Sequence, residues 1–291
     1  MRNLPDYDSP SAINAFLRER GLAVRKRFGQ NFLIRRGARE KLTDALAPPE
    51  GCLVWEIGAG LGAMTSILLD RGARVKAFEI DRGFCGILTE LFSDSKNFSL
   101  VEGDALETWK GEGGAEFLAG NLPYNIAARL MGAFIEGGLF FRRMALTVQR
   151  EVARRMVAKP GSPDYSSFSV LCSSVYTVKP IIVLKGDCFY PAPNVDSEGL
   201  CLELKDEACR KRYTPFFYRM VRALFASRRK TLKNNLLTFI KSRTPGDGRE
   251  SGELCAGLLQ TAGLPPAERA ENLACEDFLR LSNVLTRCSL S

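Results

Sequence analysis

Asn121-Leu122-Pro123-Tyr124 follows the short apolar run Phe117-Leu118-Ala119-Gly120. This set of residue types suits an amino group on a flat base. Asn121 offers a side-chain oxygen and Leu122 a backbone carbonyl. Pro123 stiffens the turn and removes a competing N–H, and Tyr124 presents a face for stacking. A strand-to-helix turn whose tyrosine packs into the core would use the same residues. Two acids stand upstream in comparable places: Glu79 ends the run Val75-Lys76-Ala77-Phe78, and Asp104 follows Ser99-Leu100-Val101-Glu102-Gly103. The first suits ribose hydroxyls, and the second can accept from the amino group of an adenine. A helix N-cap or a turn is the other use of Asp104.

These groups meet only if the runs before them are parallel strands of one sheet, whose carboxyl ends form its ligand-binding edge. Leu53-Val54-Trp55-Glu56-Ile57 reads as such a strand and runs into Gly58-Ala59-Gly60-Leu61-Gly62, with a helix over 64–71. Glycines there permit a tight turn and a close backbone approach to a ligand. Glu79 stands 21 positions beyond Gly58, the spacing of a ribose-binding acid. Gly58, Gly60 and Ala63 also satisfy the pattern of a nicotinamide dinucleotide site, so the loop alone leaves the nucleotide cofactor open. Helices are expected over 12–20, 126–136 and 168–174, and strands over 143–148, 177–184 and 199–204. Between the last two strands lies a proline-stiffened loop, Phe189 to Ser197. Its Phe189 or Tyr190 either closes over a stacked base or packs in the core.

Composition narrows the chemistry. The 291 residues include no histidine, which removes histidine bases, histidine metal sites and Ser-His-Asp or Cys-His pairs. Nine cysteines are scattered singly, without a C-x-x-C pair, as reduced thiols would be. No signal-peptide core and no run of membrane-span length is found, so a cytoplasmic protein is expected. The net charge is +8. Arg210 to Arg243 holds eleven Lys or Arg and no Asp or Glu, so the rest of the chain is slightly acidic. Apolar residues from Phe217 to Ile240 recur at helical spacing, with Arg222, Arg229, Lys230 and Lys233 largely off that stripe and Arg228 in the same basic run. Such a segment suits nucleic acid. Arg25-Lys26-Arg27 before Phe28 and Phe32 reads as a basic arm with outward cations, or as a solvated linker. The composition shifts near Cys209, which divides the chain into an α/β domain over 1–208 and a small helical, basic domain over 209–291.

Together these runs resemble the small-subunit ribosomal RNA adenine dimethyltransferases (the KsgA/RsmA family) from Arg25 to about Leu285. The likeness rests on Arg27-Phe28-Gly29-Gln30-Asn31-Phe32-Leu33, Glu56-Ile57-Gly58-Ala59-Gly60, Glu79-Ile80-Asp81, Gly103-Asp104-Ala105 and Gly120-Asn121-Leu122-Pro123-Tyr124-Asn125. Gln149 to Ala153, Phe189 to Ser197, Arg228 to Leu232 and Arg269 to Asn272 extend it. The resemblance implies a Rossmann-like S-adenosylmethionine-dependent methyltransferase sheet with an all-α C-terminal domain. It implies S-adenosylmethionine held by Asn31, Leu33, Gly58, Gly60, Glu79, Asp104 and Asn121. It further implies N6 dimethylation of two adjacent adenosines near the 3′ end of small-subunit rRNA, coupled to late subunit assembly. Asn121, Leu122, Pro123, Tyr124 and Phe189 would act on the base, and the basic residues named above would bind rRNA. A monomer without metal is expected. The chain departs from the family pattern at Ala59, Asn194 and Ser166-Ser167. A large-subunit rRNA adenine methylase of the antibiotic-resistance type, or a non-catalytic RNA-binding factor on the same fold, are the alternatives.

Overall fold

Short runs of apolar residues alternate with helical stretches, and the chain winds them into a mixed sheet. In this computed structural model the described residues are 4–25, 29–123, 126–206, 212–243 and 248–288, excepting the side chains of 248 and 249. Lys26, Arg27 and Tyr124, singled out from the sequence, lie outside them.

The strands are β1 (Phe32–Leu33), β2 (Leu53–Ile57), β3 (Arg74–Glu79), β4 (Phe98–Glu102) and β5 (Phe117–Asn121). They continue with β6 (Arg143–Gln149), β7 (Tyr176–Leu184), β8 (Phe189–Tyr190) and β9 (Ser197–Leu204). Seven of them form one sheet in the order β4-β3-β2-β5-β6-β9-β7. The first five in that order are parallel, and β9 joins β6 antiparallel. Central strands β2 and β5 are buried almost throughout, because helices cover both faces of a parallel sheet. Successive side chains serve opposite faces. Val54 joins a core with Leu42, Leu68, Phe84 and Leu88, whereas Trp55 packs at a tilt against Phe78 at 4.8 Å and meets Phe141 edge-on at 5.7 Å. On the sheet edge β4 is only partly buried, as a half-covered strand should be.

Helices α1 (Pro10–Glu19), α2 (Arg36–Leu46), α3 (Ala63–Asp70), α4 (Arg82–Phe92) and α5 (Ala105–Thr108) belong with this sheet. Neither α2 nor α4 was expected from the sequence. Residues 189 and 190, expected in a loop, instead form a two-stranded ribbon with β1, pairing Leu33 with Phe189 and Phe32 with Tyr190.

The chain divides into two compact units: Met1–Phe134 with Leu139–Ala153 and Val178–Leu204, and Ile135–Gly138 with Arg154–Thr177 and Lys205–Ser291. The expected boundary at 208 therefore shifts, because the helix Ser167–Val175 packs with the C-terminal helices. Within that second unit the Tyr165 hydroxyl donates to the Leu273 carbonyl at 2.8 Å, and Arg228 donates to the Pro163 carbonyl. The apolar stripe from Phe217 to Ile240 is two helices, Pro215–Leu224 and Leu232–Lys241. Thr214 and Thr231 cap them by accepting from the backbone N–H of Phe217 and Asn234. Arg228, Arg229 and Lys230 fall in the turn between the helices.

Candidate active site

From β2 at the centre, the chain runs outward to β3 and β4 on one side, then returns to β5 and β6 on the other. The strand order reverses between β2 and β5, and open α/β sheets bind ligands at such a point. A cavity of about 290 Å³ opens there. Asn31, Leu33, Gly58, Gly60, Glu79, Asp104, Asn121, Leu122 and Pro123 all line it. Residues that the sequence singled out at widely separated positions thus share one space.

The glycine loop shows why those positions are glycine. Gly58 and Gly60 hold φ of +71° and +58°, in the left-handed region that a Cβ disfavours. A Cβ on Gly60 would also stand 3.3 Å from the Phe32 ring. The loop turns tightly enough for the Gly60 N–H to donate to Glu79 Oε2 at 2.8 Å. Backbone N–H groups of Ile80 and Asp81 donate to Oε1, each at 2.9 Å. Burial pushes the Glu79 carboxyl above its ordinary range, and the three N–H donors hold that rise in check. Each oxygen keeps lone-pair capacity for a hydroxyl donor.

Asp104 does serve as an N-cap, accepting from the Leu106 N–H at 2.9 Å through Oδ1. No partner is found for its Oδ2 among the described residues. The cap holds the carboxylate at the cavity wall.

Asn121 closes β5. Its Nδ2 donates to the Asn31 carbonyl at 2.6 Å, which fixes the orientation of the amide. The other end, Oδ1, is buried and has no hydrogen-bond partner among the described residues. A buried acceptor left unpaired costs about 1–3 kcal/mol. It is therefore set to receive a donor from a ligand. The Leu122 N–H is used by the Thr147 carbonyl of β6, and the Pro123 carbonyl accepts from Ile126 and Ala127.

Several cavity residues were not anticipated from the sequence, Glu56 and Ile80 among them. Glu56 on β2 accepts from the Thr65 hydroxyl at 2.6 Å, and burial pushes its carboxyl up to about 8. It lies inside a strand rather than at its end, so nothing in its spacing marks it. Ile80 lines the cavity yet is 43% exposed, an apolar surface that a flat base can cover. An isoleucine directly after a strand-end acid was the available signal.

The structure does not bring Phe189 into the cavity. It is 3% exposed, packs in the core and is absent from the cavity lining. Its pairing with Leu33 in the ribbon turns its side chain inward, which is the packing use the sequence left open.

The cations separate into two kinds. Arg222 pairs with Glu136 at 2.6 Å, and Arg228 with Glu271 at 2.9 Å. Arg212 of the same segment pairs with Glu276 at 3.1 Å. Their charge is met by acids outside the basic segment, which a count within it could not reveal. Arg229, Lys230 and Lys233 are exposed, with no acid beside them among the described residues. Arg25 is half exposed and stands 3.8 Å from Asp81.

Known proteins bear on this arrangement. A family model described as "Ribosomal RNA adenine dimethylase" matches residues 21–286. "Ribosomal RNA small subunit methyltransferase A" of Treponema denticola is 42% identical over 287 residues, covering 97% of this chain and 96% of that protein. Its namesake in Borreliella afzelii is 39% identical over 284 residues, covering 97% and 95%. Among solved structures, a dimethyladenosine transferase from Plasmodium falciparum matches with a TM-score of 0.75 at 24% identity, covering 88% of this chain and 97% of that one. The 23S rRNA methyltransferase ErmE matches at 0.59 and 23% identity, covering 87% and 99%. The two structures speak to the fold.

Proposed function

The chain belongs to the ribosomal RNA adenine dimethylase family, and from that premise we propose that it dimethylates N6 of two adjacent adenosines near the 3′ end of small-subunit rRNA, using S-adenosylmethionine. The observation that carries this reading is the buried, unpartnered Oδ1 of Asn121, whose amide is held by the Asn31 carbonyl. An adenine amine is the donor that this acceptor lacks.

The residues present fit the cofactor. Glu79 would take the ribose hydroxyls, Asp104 the adenine amino group and the Gly58 turn the amino-acid portion, with Asn31, Leu33 and Gly60 completing the wall. When bound, S-adenosylmethionine supplies an electrophilic methyl group on a sulfonium. The rest falls to the protein. An adenine amine is a poor nucleophile because its lone pair is delocalised into the ring. Asn121 Oδ1 and the Leu122 carbonyl would accept its two N–H bonds and favour a pyramidal nitrogen. Pro123 keeps that carbonyl in place, and Tyr124 offers a stacking face for the flipped base. With no histidine in the chain, positioning replaces base catalysis. Arg229, Lys230 and Lys233 would bind rRNA phosphates.

Incubating the protein with labelled S-adenosylmethionine and unmethylated small or large subunits, then mapping the product, tests the proposal. Two dimethylated adenosines near the 3′ end of small-subunit rRNA are expected. Label in large-subunit rRNA would place the chain with the resistance-type methylases. No label in either would leave an RNA-binding factor without catalysis.

A further inference from the structure

Arg39 is an odd residue for its place. It lies on α2, its side chain is 5% exposed, and it belongs to the cavity wall. A leucine would fill such a site without desolvating a charge. The guanidinium uses two of its nitrogens on two separate segments. One donates to the Leu33 carbonyl of β1 at 2.6 Å, and the other to Asp8 Oδ1 at 2.7 Å, 31 positions away. The third, Nε, is buried and has no partner among the described residues. The Tyr7 ring lies 5.9 Å from the guanidinium, within cation–π reach.

Both segments it holds are parts of the cavity. Leu33 lines it from β1, while Tyr7 and Ile13 line it from the N-terminal segment. The Tyr7 hydroxyl donates to the Leu61 carbonyl in the glycine loop at 2.9 Å. One buried cation thus joins the N-terminal segment to β1 where the two enclose a ligand. We propose that Arg39 is a positioning residue for the cofactor cavity: its bonds to Asp8 and Leu33 latch the N-terminal segment onto the site, so that release of the latch loosens cofactor binding. The inference rests on the functional reading above for the identity of the ligand, and on geometry alone for the latch. Arg36, 73% exposed on the same helix, also bears on Asp8, but it forms its ion pair with Glu40 and makes no bond to the cavity wall among the described residues.

The test uses the full chain, with Arg39→Met to remove the latch while filling the space, and Asp8→Ala to remove only its exposed partner. Amide hydrogen exchange on the ligand-free protein and binding of S-adenosylhomocysteine by calorimetry and stopped flow are the readouts. Both variants should speed exchange over residues 7–20. Arg39→Met should weaken S-adenosylhomocysteine about tenfold, mostly through faster dissociation, as expected if the closed form falls to about a tenth of the population. Asp8→Ala should move affinity the same way by less, and the double variant should be no weaker than Arg39→Met. Unchanged exchange in both variants would overturn the latch. Faster exchange with unchanged affinity would leave Arg39 as a packing element and equally overturn the positioning role. If the wild-type protein binds no S-adenosylhomocysteine, the functional reading fails and with it the ligand part of the inference, while exchange still decides the latch.

Discussion

The cavity beside the parallel sheet and the basic helical unit use polar side chains in opposite ways. In the cavity, the two strand-end acids are fixed by backbone N–H groups, most of them within two residues of the acid. Glu79 is held by the N–H groups of Ile80, Asp81 and Gly60, and Asp104 by Leu106. In the helical unit, the fate of a charge is set far along the chain: Arg228 finds Glu271 and Arg212 finds Glu276. Groups organised by local backbone keep their meaning when read as motifs, whereas a charge count loses its meaning as soon as distant acids fold against it.

The sharpest way to break that contrast is Asn121→Ala. It removes the unpartnered acceptor and leaves the glycine loop and both acids in place. Methyl transfer should fall by about a hundred- to a thousandfold, the usual loss on removing one preorganised hydrogen-bonding group. Affinity for S-adenosylhomocysteine should fall far less, and single-turnover rates beside calorimetry separate the two. Near-normal transfer would mean that the cavity's acceptor is incidental.

Glu56 tests whether burial alone can govern a cavity group. Its carboxyl is raised from 4.5 to about 8, chiefly by desolvation, with the Thr65 bonds opposing. The folded state therefore holds this proton over a range where the unfolded chain has lost it. The contribution to stability is complete below about 4.5 and fades as pH rises towards about 8, at a slope of up to about 1.4 kcal/mol per pH unit. Glu79 works in the same direction. Denaturant unfolding from about pH 5 to about pH 9 should show this decline in the wild type and a shallower one in Glu56→Gln. Identical slopes would mean that Glu56 does not titrate as its burial demands.

A smaller effect separates the regions by ligand rather than by stability. Gly60 in the cavity and Gly161 in the helical unit hold φ of +58° and +80°. Alanine at either should cost about 1–2 kcal/mol in stability from the left-handed backbone. Only Gly60→Ala should also weaken S-adenosylhomocysteine, since its Cβ crowds Phe32 and its N–H bonds Glu79. Equal ligand affinity in the two variants would detach the glycine loop from binding.

Much of the sheet was legible because strand periodicity and glycine placement are local: β2, β5 and the acids beyond β3 and β4 stand where their residues predict. Asn121 and Asp104 were legible for the same reason. The ribbon that pairs Phe189 with Leu33 was not, because the two lie far apart in the chain. Neither the long-range pairing of Arg228 nor the break of one apolar stripe into two helices is encoded in spacing alone. The threonine at 231 that caps the second helix was the one local sign of that break.

The mildest prediction bears on the helical unit itself. If pairing decides which cations are available, Arg229, Lys230 and Lys233 should meet rRNA phosphates, and Arg228 should serve the fold. Neutralising the first three with glutamine should lower the slope of log affinity against log salt by roughly 0.7 for each phosphate no longer neutralised on single-stranded RNA. Arg228→Gln should leave that slope unchanged, because its guanidinium is engaged by Glu271 and the Pro163 carbonyl. Its cost should appear in unfolding, at no more than about 1 kcal/mol for a half-exposed pair. Salt titrations of rRNA binding on the two variants decide the matter. A slope that falls as much per residue for Arg228 as for the other three would show that an ion pair visible in the protein yields to phosphate, and would restore the plain charge count as a guide to the surface.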